Sequence, residues 1–334
     1  MPRIPGSPIT PRRAEEPTAA RPVPKPAPPA IAQAPLDRFE AGASAGAGDV
    51  RGAAVGAVQL PPGLGTLFPA GQAGRALWVW DETGGKLPDP ELLMSACRQM
   101  GVSQIYVNAY PPSGAHLEQL EQIVTLAARQ GIEAQLLCGD AAWTDPPTRP
   151  WISTQVLQPL QAMLARVREQ NPGLELSSAL HLDVEPQAGG MTAQKAEAYV
   201  EMLSWFRAQL GDALPLAADV PGWFADASWT AGGRPLGEAI LDHVDQLTLM
   251  AYSKDPGAVV GLAAPLVEAA SGRGKKVVVG VETRPSTENV HLVSQEQARD
   301  ALAQVDGAFA GRDASRGYSG LAIHDFASLL TLVP

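Results

Sequence analysis

From residue 75 onward, short apolar runs alternate with longer stretches whose apolar residues recur every three to four positions. The runs ALWVW (76–80), QIYVNAY (104–110), EAQLLCG (133–139), ALHLDVE (179–185), PLAADVP (215–221), QLTLMAYS (246–253), KVVVGVE (276–282) and GLAIHDF (320–326) are predicted strands. The stretches between them carry helix signals. Asp89 is placed to cap a helix that Gly101 stops, and a second helix ends at Gly131. Ala196, Tyr199, Val200, Leu203 and Phe206 share one face of a helix within Thr192–Gly211, and Ser294 with Gln297 forms a capping box before Ala301. Strands that alternate with helices imply a parallel sheet. Strand starts recur every 28–46 residues, which suits a single (β/α)₈ TIM barrel better than an open doubly wound sheet. No G-x-G-x-x-G follows the first strand, so a dinucleotide-binding sheet is disfavoured.

Within the strands, period-2 alternation separates two faces. Leu180, Leu182 and Val184 oppose His181, Asp183 and Glu185; Ile105, Val107 and Ala109 oppose Tyr106, Asn108 and Tyr110; Leu321 and Ile323 oppose Ala322 and His324. The aliphatic faces should meet the helices, and the polar and aromatic faces should point into the barrel. Active sites in this architecture sit at the C-terminal strand ends. The candidate site is therefore a ring of Trp78, Trp80, Asn108, Tyr110, Asp140, Trp143, Asp183, Glu185, Asp219, Tyr252, Glu282 and His324, with Trp223 and Trp229 added by loops. Acids among aromatics describe a sugar cleft, because pyranose C–H faces stack on indole and carboxylates bind hydroxyls. Each residue has an ordinary structural alternative: barrel plug for Trp78 and Trp80, helix cap for Asp140 and Asp219, core histidine for His324, interior packing for Tyr106. Asp183-x-Glu185 is the hardest to explain structurally, since it forces two carboxylates into one small space at the end of an apolar strand.

Residues 1–72 differ from the rest, with 14 of the 31 prolines and no periodic apolar pattern. They are expected to be a disordered Pro/Ala-rich arm or linker before a barrel domain over 73–334, with Leu60–Phe68 able to pack on that domain. The arm holds seven basic and five acidic residues, so of the formal charge of −10 the remainder carries about −12. That charge argues against a nucleic-acid or anionic-membrane partner. No apolar run is long enough to span a membrane, and MPRIPGSPITPRRAEEP lacks the apolar core of a secretory signal. Export by another route or a cytoplasmic location is expected, as is a monomer. Cys97 and Cys138 read as small buried hydrophobes, and no Cys/His spacing suits zinc. Neither a metal nor a cofactor is expected.

The segment LHLDVEP resembles the fourth strand of TIM-barrel glycoside hydrolases. In family 18 chitinase-like enzymes that strand carries D-x-x-D-x-D-x-E, whose last Glu is the acid. The matching positions are Ser178, His181, Asp183 and Glu185, so the final D-x-E is kept and the first two acids are not. The family's M-x-Y-D on strand 6 is met by Met250-Ala251-Tyr252-Ser253, without the Asp. A second resemblance is to retaining hydrolases of the 4/7 clan, whose acid/base Glu after strand 4 and nucleophilic Glu after strand 7 match Glu185-Pro186 and Glu282. The resemblances cover about residues 75–330 and imply a bacterial glycosidase barrel acting on a polysaccharide or other glycan.

Both resemblances make Glu185 the general acid. They differ on what attacks. In the substrate-assisted route a sugar N-acetyl group attacks, held by Asp183 and Tyr252. In double displacement Glu282 attacks, from about 5–5.5 Å, whereas roughly 6.5–9.5 Å between carboxyls would indicate inversion. The incomplete family 18 pattern also fits a barrel that has lost catalysis and only binds a glycan or protein. A metal-dependent barrel hydrolase would want His ligands where strand 1 has Trp78 and Trp80.

Overall fold

Each predicted apolar run overlaps a strand in the computed structural model, which describes residues 60–69, 74–82, 85–286, 290–309 and 317–333. The strands are β1 (Gly74–Val79), β2 (Gln104–Asn108), β3 (Glu133–Cys138), β4 (Ser178–Leu182), β5 (Leu216–Pro221), β6 (Gln246–Met250), β7 (Lys276–Glu282) and β8 (Tyr318–His324). All pair in parallel and in chain order, and β8 returns to β1 through Gly74↔Gly320 to Leu77↔Ile323, closing an eight-stranded barrel. The principal helices are α1 (Pro90–Met100), α2 (Gly114–Arg129), α3 (Gln158–Gln170), α4 (Ala193–Leu210), α5 (Leu236–Leu241), α6 (Pro256–Ser271), α7 (Gln295–Phe309) and α8 (Phe326–Leu329). None of the described helices is long and apolar enough to cross a membrane.

The end signals act as expected. Asp89 accepts from Leu92 N at 2.9 Å, and Gly101 ends α1 in the left-handed conformation. The capping box is modified: Ser294 Oγ accepts from Gln297 N, but the Gln297 side chain reaches Val293 N one residue earlier. Six predicted strands run past the observed ends, furthest at 185 and 253. The ladder stops sooner because a strand needs partners on both sides, and the last pairs of β4 are Cys138↔Leu182 and Leu182↔Ala218. Asp183, Glu185 and Tyr252 consequently lie in the segments just beyond the strands.

The two strand faces separate as the alternation predicts. Leu180, Leu182, Ile105, Val107, Leu321 and Ile323 join the core between barrel and helices, whereas Trp78, Tyr106, Leu137, Val278 and Ala322 fill the interior. The floor of that interior is polar and satisfied. Gln246 Nε2 and Thr248 Oγ1 donate to the Tyr106 hydroxyl, which donates to Gln104 Oε1, and Gln104 Nε2 donates to Glu133. A buried polar layer of this kind is tolerated only when its members find partners.

Of the arm expected over 1–72, residues 1–59 and 70–72 lie outside the described residues. Residues 60–69 pack on the barrel: Leu64 and Leu67 are fully buried and Phe68 nearly so. The segment bridges the first and last long helices. Arg299 of α7 donates to Thr66 O and Oγ1, and Arg75 at the start of β1 donates to Pro69 O and to Met100 O of α1. Leu64→Ala should therefore destabilise the protein by about 2–5 kcal/mol in denaturant unfolding, while Thr66→Ala, at an exposed site, should cost about 1 kcal/mol or less.

Cys97 and Cys138 are both buried and free. Burial pushes the Cys97 thiol up to about 12, against a small opposing pull from Arg98, and raises Cys138 as well, with the Asp183 charge adding to it. Neither thiol should be alkylated by iodoacetamide at neutral pH in the native state. Labelling of both should appear only as the chain unfolds, which mass spectrometry across a urea series would read.

Candidate active site

The site is built on the mouth of the barrel. Beyond Leu182 the alternation of β4 persists without a ladder: Val184 and Pro186 are buried, while Asp183 and Glu185 are half-buried. Asp183 N donates to Cys138 O at 3.1 Å, which ties this segment to the end of β3. The approach is close enough to require Gly139, where an added Cβ would stand 1.8 Å from the Asp183 carbonyl oxygen.

The electrostatics at Tyr252 show which charges meet. Burial, then the carboxylates of Glu282, Asp219, Asp183 and Glu185, hold its hydroxyl well above the ordinary tyrosine range. The buried Tyr199 phenol is raised by burial and by Asp219, Asp183 and Glu185. Acids from the ends of β4, β5 and β7 therefore all act on the volume around Tyr252. The Tyr252 phenol stays protonated there, and so remains a hydrogen-bond donor.

On one side of this volume stand Glu282 and His324, the last residues of β7 and β8. His324 Nδ1 lies 3.1 Å from both Glu282 oxygens, and Arg284 N donates to Glu282 Oε1 at 2.6 Å. Trp80 Nε1 donates to His324 Nε2 at 2.8 Å. The His324 ring also packs near Tyr252, with centroids 5.8 Å apart, and edge-on to Trp78 at 5.5 Å. Burial works against a charged His324, but the Glu282 carboxylate outweighs it, with help from Asp325. His324 therefore takes up a proton above the ordinary histidine range.

Below the mouth is a second, fully buried group. Asp219 accepts from Trp78 Nε1 at 3.0 Å and meets His181 Nε2 at 2.9 Å. His181 Nδ1 meets Gln135 Oε1 at 2.6 Å, and Gln135 Nε2 donates to Glu133. Trp78 fits across the barrel because the facing β7 residue is Gly280, where a Cβ would come within 2.8 Å of the indole.

Several expected cleft residues occupy other positions. Asp219 is 2% exposed with both oxygens engaged, so it supports the floor and does not line an open cleft. Trp78 is a barrel plug, and Trp143 is buried against Phe206 and Tyr110. Asp140 caps the 3₁₀ turn Ala141–Thr144 through Ala142 N. Asn108 is buried and accepts from Tyr110 N. Tyr110 is half-buried, and Trp223 and Trp229 pack together with centroids 5.8 Å apart. Sequence reasoning missed Trp151, 47% exposed and edge-on to Tyr110. It lies in a helical lead-in to α3, where no strand alternation marks it. Among the described residues, no cluster of three or more His, Cys, Asp or Glu is arranged to hold a metal ion.

No protein-family model matches the chain, and no curated protein does. Among solved structures, the chain is similar to the Bacillus cereus spore cortex-lytic enzyme SleL, at 12% identity over 79% of this chain and 75% of that one, TM-score 0.49. It is similar to a GH18 chitinase from Cycas revoluta at 12% identity over 78% and 96%, TM-score 0.48. A third is an endo-beta-N-acetylglucosaminidase from Cordyceps militaris, at 14% over 76% and 81%, TM-score 0.47. At these values nothing about the chemistry of this chain follows from theirs.

The Gly139 contact has a direct test. Gly139→Ala should destabilise the fold by about 1–3 kcal/mol and shift the Asp183 backbone resonances, because the methyl group displaces the end of β4. Gly261→Ala, in α6 with open space around it, should be neutral or stabilising by up to about 1 kcal/mol. Equal melting temperatures for the two variants would show that the strand ends do not touch as described.

Proposed function

We propose that the chain hydrolyses glycosidic bonds, with Glu185 as the general acid. The observation that carries this reading is the Asp183-x-Glu185 pair, half-buried just past the end of β4, near a Tyr252 hydroxyl whose titration is raised by their charges and by those of Glu282 and Asp219. Glycoside hydrolysis needs such a group: one acid to protonate the leaving oxygen, and negative charge and donors around an oxocarbenium-like centre. Glu185 gives its proton to the glycosidic oxygen as the bond to C1 breaks.

Of the two routes, the occupancy of Glu282 favours substrate assistance. Both its oxygens lie against His324 Nδ1, one accepts from Arg284 N, and the side chain is buried. In that route the acetamido oxygen of the sugar attacks C1 and forms a cyclic oxazolinium ion, steadied by Asp183 and the Tyr252 hydroxyl. Water then opens the ring at C1 and returns a proton to Glu185. The substrate class is a glycan containing 2-acetamido sugars.

A binding barrel without catalysis is the second reading. It is favoured by His181 and Ser178 where the family 18 pattern has acids, and by the full engagement of Asp219.

Glu185→Gln keeps the shape and removes the titrating proton. Activity on N-acetylglucosamine oligomers should fall by about 10²–10⁴-fold, and much less on aryl glycosides whose leaving groups depart unprotonated. Asp183→Asn and Tyr252→Phe should also lower kcat. Full activity of Glu185→Gln on an unactivated oligomer would remove the reading. Binding of oligomers by the unmodified protein with no cleavage would establish the second one.

A further inference from the structure

Glu282 is almost wholly buried and is engaged by a histidine and a backbone N–H. Its carboxylate, 4% exposed, meets His324 Nδ1 with both oxygens and also accepts the Arg284 N–H. On the far side of the same imidazole, Nε2 receives the Trp80 indole N–H at 2.8 Å. Trp80 is half-buried at the end of β1 and packs on the interior cluster around Trp78. It therefore links the barrel plug to His324, whose ring also packs beside Tyr252.

We infer that Glu282 is a positioning residue: it fixes the tautomer of His324, and through it the plane of the Trp80 indole that forms one wall of the sugar site. The inference rests on the proposed glycosidase reading for the sugar, but not for the hydrogen-bond relay.

The chemistry allows one arrangement. An indole N–H can only donate, so His324 Nε2 must offer its lone pair. A neutral imidazole has one proton, which then belongs to Nδ1. A carboxylate can only accept, so Glu282 is the partner that holds that proton on Nδ1. If Nε2 were protonated instead, two N–H groups would face each other across 2.8 Å and Trp80 would be released.

The charges around His324 make this hold conditional. Glu282 and Asp325 invite a second proton on the ring, Arg284 and burial oppose it, and the neutral Tyr252 and Trp78 rings pack beside it. The Trp80 indole resists that proton directly. Acidification therefore breaks the Trp80 anchor while leaving Glu282 bound to the imidazolium.

The relay is tested first without substrate. In the full chain, at a pH above the His324 titration read from its own ¹⁵N shifts, spectra should show His324 protonated at Nδ1 only, with scalar coupling from Trp80 Nε1 across the hydrogen bond to Nε2. Glu282→Leu should lose that coupling. Glu282→Gln keeps an oxygen that can accept from Nδ1 and should retain it. An Nε2–H tautomer in the unmodified chain would overturn the inference, whether or not the protein cleaves any glycan.

Kinetics on N-acetylglucosamine oligomers supply the second arm. Glu282→Leu and Trp80→Phe should each raise KM by about tenfold, the net worth of one hydrogen bond and the order it imposes, and the double variant should be no worse than either. Glu282→Gln should keep kcat within about tenfold of the unmodified chain. A kcat loss on the order of 10³ or more in Glu282→Gln, with glycosyl azide formed when azide is added to Glu282→Leu, would make Glu282 the nucleophile and overturn the positioning role. Should the unmodified protein cleave no glycan, the proposed function fails while the spectra still decide the relay.

Discussion

A carboxylate held inside a closed barrel must be met by donors, and the meeting of Asp219 with Trp78 and His181 is the interaction on which the rest of the interior depends. Removing either partner would leave one oxygen of a buried carboxylate without its donor, which costs more than the bond contributes. The pair therefore fixes where Trp78 lies. Trp78 in turn sets the packing of Tyr106 below it, edge-on at 5.1 Å, and of His324 above. Through His181, Gln135 and Glu133 the same chain of contacts reaches the polar floor. The mouth of the barrel is thus oriented from beneath, by layers of satisfied polar groups, more than by its loops.

This organisation separates acids that are buried and engaged from acids that are half-buried at the mouth. Asp219 and Glu282 lie inside the strands, are almost wholly buried and have their oxygens engaged by donors. Asp183 and Glu185 lie past the last ladder pair of β4 and are half-buried. The same residue type at the same end of the barrel meets different environments within one or two residues of the ladder's end. Environment of this kind is what sets carboxyl groups apart as acids, bases or supports.

Much of this was legible in the sequence, and the residues show where legibility stops. Period-2 alternation placed His181, Tyr106 and His324 inside and Leu180, Val107 and Ile323 outside, because a closed parallel barrel imposes that split on every strand. The helix end at Gly101 was local chemistry and equally readable. Alternation could not say whether Trp78 plugs the barrel or stacks on a ligand. That depends on Gly280, 202 positions away in the chain, leaving room for the indole. It could not show that Asp219 and Glu282 are engaged by histidines, since those pairs join different strands. The ends of β4 and β6 were overrun because a ladder stops where its neighbour does, and a single strand's pattern holds no trace of its neighbour.

The segment 60–69 has a consequence for how the protein is made. Its buried residues Leu64, Leu67 and Phe68 are synthesised before any strand of the barrel, yet the α7 residues that Thr66 meets emerge more than 200 residues later. Until then those apolar side chains lack part of their seat, as does the β1 edge, which awaits β8. The nascent chain must therefore carry an open seam until α7 and β8 have left the ribosome, when both halves of that seam can close.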